Sequence, residues 1–560
     1  MERLAEVIEE QLAKGVVGAS VAVVVDDQIV WSAGYGVVDI DDPAPVTPTT
    51  TFSAQSLTKP VVATALMRFV EDGTIGLDDP VNAHLGEVRL ANAWEDEHPV
   101  TIRQLLTHTG GLGVSASWHS TVSVEDEVTT HVATEAAPGS RLVYANNGYD
   151  TLGCLLAHLA GAAWDEVVTR AVFVPLEMTA TRIGAPPAGH EDRAVGHAPS
   201  QMDGRVLRLA TVPWPFEPPP PSGSMVSTAE DLARFMLAHL NGGGGVVRIE
   251  TVADMQRLHA PLGPGGGGMG LGFRVDRRGG RAFFCHGGDG VGFTNFIGAH
   301  PDERVGAVVL LNTGGAQEAR SVIAGAALAY GLDEPAVFSR TTTPARVDSR
   351  LLGGYRSTFW ELRAELTQPG DHPLLRSSPG AIVSSETKTR LEPAGDRWRG
   401  DGGMFDGWEL DLVVGADGRA RLYGGVYPFE YVADDTPMPR LPTAVDPDGE
   451  LAGAWAGTTH SPIGPVPFEL VVRPPNAATV TTMGVTEVAL VDVDAGAGWV
   501  TGHFDVDIDG IGGLRVFLRL GLVARRLEGM AYARSELGEF AMPVELEPVE
   551  LEPVELEQPT

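Results

Sequence analysis

Two periods of apolar residues run through the first 335 positions. From Glu2 to Leu12 the spacing is helical. Gly18 to Val25 and Gln28 to Val38 are apolar and β-branched, and Asp26-Asp27 between them predicts a hairpin turn. Val62, Leu66, Phe69 and Val70 then share one helical face, closed by Gly73. Helical patterns return over Gly148 to Ala160 and Thr228 to Leu240, the latter opened by Ser227-Thr228-Ala229-Glu230, a capping-box arrangement. Strand patterns follow at Ala282 to Cys285, Phe293 to Ala299 and Val305 to Leu311, the last two joined by the turn Pro301-Asp302-Glu303-Arg304. Strands at both ends with helices between them predict an α+β domain over 1–335, an antiparallel sheet covered by helices.

After Gly331 the texture changes to short β-type runs cut by Gly, Asp and Pro turns. The pattern starts twice, at Leu352-Gly353-Gly354-Tyr355 and at Leu451-Ala452-Gly453-Ala454-Trp455. Two small β-barrel-like domains are expected, over 346–440 and 447–542, with Pro437 to Pro447 as the linker. From Pro543 the chain repeats Pro-Val-Glu-Leu-Glu. Regular prolines forbid a continuous helix and the acidic charge opposes collapse, so 543–560 is expected to be a disordered acidic tail. The glycine tracts Gly242 to Gly245 and Gly265 to Gly268 lack the strand-loop-helix setting of a phosphate cradle and read as flexible loops.

Composition narrows the class. A chain of 560 residues with 43% hydrophobic content holds more than one core, and its longest apolar runs are too short to span a bilayer. The acidic, amphipathic start lacks the basic head and apolar stretch of a secretory leader, which makes a cytoplasmic protein the expectation. A formal charge of −34 argues against nucleic acid or anionic membrane as partner. Cys154 and Cys285 are too few for a disulfide framework, the histidines lack metal-ligand spacing, and neither a metal nor a cofactor is expected. The lysines are only three, Lys14, Lys59 and Lys388.

Lys59 stands in Ser56-Leu57-Thr58-Lys59, at the head of the helix that runs to about Asp72. Serine and lysine three apart lie about one helical turn from each other, and the helix dipole favours a developing oxyanion at the serine. A lysine whose pKa is lowered can take the proton from a hydroxyl. Ser385-Glu386-Thr387-Lys388 has the same spacing but is followed by Thr389 to Pro393, with no apolar helix, and reads as a β-hairpin edge. Tyr144-Ala145-Asn146 lies in a polar loop just before the next helix. In an extended segment the phenol and the amide face one cleft, and a tyrosine beside an ammonium ionises more easily and relays protons. His286-Gly287-Gly288 ends a strand; its glycines permit close backbone approach, and the N–H of Asp289 can join that of Ser56 in an oxyanion hole.

In this order the three motifs resemble the β-lactamase-like serine hydrolases: class C β-lactamases, D-alanyl-D-alanine carboxypeptidases, D-aminopeptidases and related esterases. Ile102 to Leu112, Tyr144 to Tyr149 and Ser224 to Leu232 are similar to that family too. The resemblance implies a β-lactamase-like catalytic domain and a serine acyl-enzyme, with Ser56, Lys59 and Tyr144 carrying the chemistry and Asn146 contacting the substrate amide. His286, Gly287, Gly288 and Asp289 complete the expected substrate-binding set. Penicillin-recognising members usually carry Lys-Thr-Gly where this chain has His286-Gly287-Gly288. A neutral histidine followed by Asp289 is a poor receptor for a substrate carboxylate, so the chain looks more like the esterases and D-aminopeptidases. The expected substrate is a small ester, amide or peptide. An acyltransferase or peptide cyclase with the same acyl-enzyme, and a penicillin-binding sensor that does not turn over, are the alternatives.

Overall fold

The computed structural model describes residues 2–112, 123–184, 193–199, 206–209, 219–262, 267–278, 281–290 and 292–333. Further on it describes 346–357, 363–377, 387–394, 397–401, 409–414, 420–424, 429–433, 446, 448–461, 464–473, 477–482, 485–508, 512–535 and 538–549. By spatial proximity the chain divides into two compact units. One holds 1–199, 206–377 and 386–436; the other holds 200–205, 378–385 and 437–560.

The first unit contains nine α-helices among its described residues: α1 (Glu2–Ala13), α2 (Thr58–Glu71), α3 (Ile102–Leu106), α4 (Val124–His131), α5 (Asn146–Ala160), α6 (Trp164–Val168), α7 (Ala229–Leu240), α8 (Ile249–Met255) and α9 (Gln317–Gly331). Its leading strands are β1 (Gly18–Val25), β2 (Gln28–Gly36), β3 (Phe52–Gln55), β4 (Arg182–Ile183), β5 (His197–Pro199), β6 (Val206–Arg208) and β7 (Met225–Ser227). They are followed by β8 (Ala260–Pro261), β9 (Gly268–Met269), β10 (Arg274–Arg278), β11 (Arg281–Gly290), β12 (Phe293–His300) and β13 (Val305–Leu311). The main sheet runs β2-β1-β13-β12-β11-β10-β9-β8, and its long strands pair antiparallel. The second glycine tract therefore ends in a strand, at Gly268.

Every residue of β12 and β13 is buried, because helices cover both faces. On one face α9 lies so close to β1 that a Cβ on Gly331 would meet Val305 and Val23. On the other, Leu232, Phe235 and Met236 of α7 share a core with Ala22, Val24, Val308 and Leu310. Each of these side chains except that of Ala22 contributes roughly 1.5–3 kcal/mol by leaving water. The first ten residues of α2, Thr58 to Met67, are all buried, which is wider than the single apolar face read from the sequence. A helix buried all round is a central helix, and α2 is the one that begins beside Ser56. The cap of α7 lies one residue later than expected: Thr228 accepts from the N–H of Asp231.

Eight antiparallel strands between Gly353 and Ala433 close into a barrel. It contains Thr387–Ala394, which pairs on both sides, so Lys388 lies in an interior strand of the barrel and not at a hairpin edge; Ser385 falls outside the described residues. The remaining strands, from Gly453 to Val549, form a nine-stranded antiparallel sheet. The two motif starts adopt one local structure. Gly353 and Gly453 have φ of 135° and 137°, and two residues on an aromatic side chain donates back to a leucine carbonyl: the Tyr355 hydroxyl to Leu351, the Trp455 indole to Leu451.

The disordered tail expected from 543 is overturned as far as Val549. Strand Gly538–Val549 pairs with Gly453–Ser461 and Arg526–Ser535, with Val544 and Leu546 buried and Glu547 exposed. The repeat alternates apolar and acidic residues at the period of a strand, and its prolines are compatible with that conformation although they exclude a helix. Residues 550–560 lie outside the described residues.

Candidate active site

The nucleophile turn is built from β3, which ends at Gln55 with φ of 54°. Left-handed backbone costs a side-chain-bearing residue roughly 1–2 kcal/mol. Local hydrogen bonds hold it: the Thr58 hydroxyl donates to the Gln55 carbonyl at 2.7 Å and accepts from Met225 N–H at 3.1 Å, while Gln55 Nε2 donates to Ser53 Oγ at 2.8 Å. The chain thus reverses at Gln55, presents Ser56, and enters α2 at Thr58. Ser56 sits in the turn before the helix, not within it.

Lys59 is fully buried, and its Nζ lies 3.0 Å from Ser56 Oγ and 2.5 Å from the Ser222 carbonyl oxygen. It also lies 4.8 Å from the centre of the Tyr144 ring and 5.8 Å from that of Tyr149. Burial penalises the ammonium and pulls the lysine pKa well down, while Asp150 pulls it part of the way back. Asp150 is buried on α5, where Oδ1 accepts from the Ser222 N–H at 2.9 Å, and burial pushes its carboxyl up. The backbone of Ser222 therefore stands between the two groups, its carbonyl on the lysine and its N–H on the carboxylate.

Tyr144 is brought to Ser56 as expected, but its titration runs the other way. Burial holds the phenol well above its ordinary value, and the hydrogen bond with Ser56 offsets this only in part. The expectation that a neighbouring ammonium would ease its ionisation fails because desolvation is the larger effect. His108, set aside in the sequence, packs on it with ring centres 4.2 Å apart and accepts the Ala145 N–H at Nδ1, 3.1 Å away. Its φ of 58° and its burial belong to that wedge behind Tyr144, and burial holds its pKa well below the ordinary value. Asn146 is the first residue of α5 and is half-buried. The alternation argument for a shared face thus stops at Ala145, where the extended backbone ends.

On the opposite wall, β10 pairs with β11 only as far as Cys285, so His286 to Gly290 pair with β12 alone. A Cβ on Gly288 would lie 2.3 Å from the Ala54 carbonyl oxygen. That glycine is needed for the strand to pass close to the nucleophile turn, a packing reason in addition to any approach by ligand. His286 is buried and its Nδ1 lies 2.6 Å from the Gly287 carbonyl oxygen, which places the proton on Nδ1. Burial first, and Lys59 second, push its pKa down to about 3, so the ring is neutral. Asp289 alternates to the other face of the strand, where both carboxylate oxygens lie 2.8 Å from Nη1 of Arg320 on α9. The expectation that the Asp289 side chain helps make this wall a poor receptor for a substrate carboxylate is corrected by this ion pair.

Asp150, Ser222 and His108 were missed by sequence reasoning. Asp150 carried a signal, an ionisable residue inside the apolar pattern Gly148 to Ala160. Ser222 acts through its backbone, which sequence does not mark.

An antiparallel sheet between helices, with a serine at the mouth of the central helix and a buried lysine on its first turn, defines the β-lactamase-like class. The Beta-lactamase family model matches residues 4–331, more than half of the chain, and the chain belongs to that family. It is 26% identical over 326 residues to Protein flp of Staphylococcus aureus (strain NCTC 8325 / PS 47), covering 56% of this chain. The match spans 63% of that relative's length. Among solved structures, the octameric penicillin-binding protein homologue from Pyrococcus abyssi is similar over 77% of this chain and 99% of its own, with 23% identity and a TM-score of 0.54. SurE is similar over 77% and 98%, with 21% identity and a TM-score of 0.51. These two likenesses concern the fold, and they reach beyond residue 331.

Proposed function

We propose that the protein is a serine hydrolase that cleaves esters or small amides, D-amino-acid amides and peptides included, through an acyl-enzyme on Ser56. The observation that carries this reading is the fully buried Lys59 with Nζ 3.0 Å from Ser56 Oγ. Two bases compete for the serine proton. The Tyr144 phenol is held well above its ordinary value and the Lys59 ammonium well below its own, so the amine is the group available as acceptor near neutral pH. Lys59 takes the proton as Ser56 Oγ attacks the scissile carbonyl, and the N–H groups of Ser56 and Asp289 receive the oxyanion. The proton then passes on through Tyr144: the phenol gives its proton to the leaving oxygen or nitrogen as the Lys59 ammonium returns one to it, so that the phenol and the neutral amine are both restored. Water then repeats the sequence on the acyl-enzyme.

His286 bears on substrate choice. A neutral, buried imidazole in place of a lysine offers no charge to a carboxylate beside the scissile bond, which favours substrates that lack one. The test is turnover of p-nitrophenyl esters and D-amino-acid anilides by the full chain beside Ser56→Ala. Hydrolysis by the wild type, lost in the variant, is expected. Turnover that survives Ser56→Ala would overturn the reading.

A further inference from the structure

We infer that Asp150 is a positioning residue that stabilises the ammonium formed on Lys59 when it takes the proton of Ser56, acting across the backbone of Ser222. This rests on the reading of Ser56 and Lys59 given above and adds to it the group that governs when the lysine is a base.

A fully buried lysine faces two opposite failures. Without any counter-charge the ammonium it must become is too costly, and proton transfer from Ser56 stalls. With a carboxylate bound directly, the lysine stays protonated and is no base at all. The arrangement here lies between. Among the described residues no ion pair joins Lys59 to Asp150. Their link is the backbone of Ser222, whose carbonyl oxygen lies 2.5 Å from Nζ and whose N–H donates to Oδ1 at 2.9 Å. The negative charge is close enough to favour the ammonium, yet burial outweighs it in setting the resting state of the lysine. In the attack the O–H bond of Ser56 breaks, the N–H bond of Lys59 forms, and the electron pair goes to the new Oγ–carbon bond. Asp150 remains a carboxylate throughout.

Other groups face this pair. From α4, Glu127 acts on the Asp150 carboxyl and pushes it upward, and Glu127 itself lies 3.1 Å from His131 Nδ1. Around Lys59 stand the phenols of Tyr144 and Tyr149 and the imidazoles of His108 and His286, each of which is neutral in its buried setting. Among the groups that act on Lys59 most strongly, Asp150 supplies the charge.

The test uses the lysine count. With three lysines in the chain, lysine labelled with 13C at Cε gives few signals, and Lys59→Arg assigns the one in question. Asp150→Asn keeps the acceptor for Ser222 and removes the charge. The Lys59 titration should then move to lower pH by about one unit or more, and the acid limb of fluorophosphonate labelling should move with it. The plateau labelling rate should fall about three- to tenfold. An unchanged Lys59 titration in folded Asp150→Asn overturns the inference. Should that variant not fold, the wild type decides: Lys59 must titrate in two steps, reporting its coupled partner, and a single step overturns the inference. Absence of labelling of the wild type at every pH would instead count against the serine hydrolase reading, since the titration of Lys59 is read without any reaction.

Discussion

Lys59 and Lys388 each follow a serine by three residues, yet their surroundings have little in common. Lys59 lies in the first turn of a helix whose first ten residues are buried, and it has no exposed surface. Lys388 lies opposite Arg376 in a barrel strand and is exposed to water. Burial pulls the Lys59 ammonium well below the usual lysine range. The tetrapeptide is thus not the chemical unit. The unit is the tetrapeptide at the head of a central helix, with Ser222 and Asp150 behind the lysine. The same contrast separates two buried aspartates. Asp289 is tied directly to Arg320, while Asp150 is linked to its cation only across the backbone of Ser222.

The comparison breaks most easily at Lys59. Lys59→Arg should cost kcat/KM nearly as much as Lys59→Ala, about a thousandfold or more, because arginine keeps the charge but does not release a proton. A Lys59→Arg enzyme within tenfold of wild type would mean that charge alone is needed. The wild-type profile of kcat/KM carries the same information. Activity requires the neutral amine, so it should fall as pH drops through the Lys59 value, with that limb lying well below the usual lysine range.

For the aspartates, Arg320→Ala leaves Asp289 buried without its cation and should destabilise the fold by about 3–5 kcal/mol in denaturant unfolding. Adding Asp289→Asn should restore much of that loss. A loss that persists unchanged in the double variant would show that the pair is not the source.

A smaller effect concerns His286. A neutral ester should exceed nitrocefin in kcat/KM by about tenfold to a hundredfold, and His286→Lys should narrow the gap. Efficient nitrocefin hydrolysis by the wild type would place β-lactamase activity first. At the other end of the scale, Ser385→Ala and Lys388→Ala should leave kcat/KM within about twofold of wild type; a larger loss in the folded variants would move the chemistry away from Ser56.

What was legible in the sequence was whatever periodicity or a short motif encodes. The hairpin at Asp26-Asp27, the strands Phe293–His300 and Val305–Leu311, and the paired starts at Gly353 and Gly453 follow from alternation and turn residues. Ser56 and Lys59 were legible because a spacing of three residues brings them together where the turn enters the helix. Asp150 and His108 were not, because their partners lie far along the chain or on the backbone: Ser222 is 72 residues from Asp150, and His108 is held by the Ala145 N–H. The direction of the Tyr144 shift was misjudged because a sequence lists neighbours but not burial. The tail was misread because acidic charge and proline were weighed above the two-residue alternation that seats Val544 and Leu546.

The central claim is that the buried lysine makes Ser56 the one activated serine. Fluorophosphonate labelling of the full chain, followed by peptide mapping, tests it directly. The expected result is one adduct, on the peptide that carries Ser56, absent from Ser56→Ala and formed far more slowly by Lys59→Arg. An adduct on Ser385 or another serine, or labelling of Ser56 at an undiminished rate in Lys59→Arg, would contradict it.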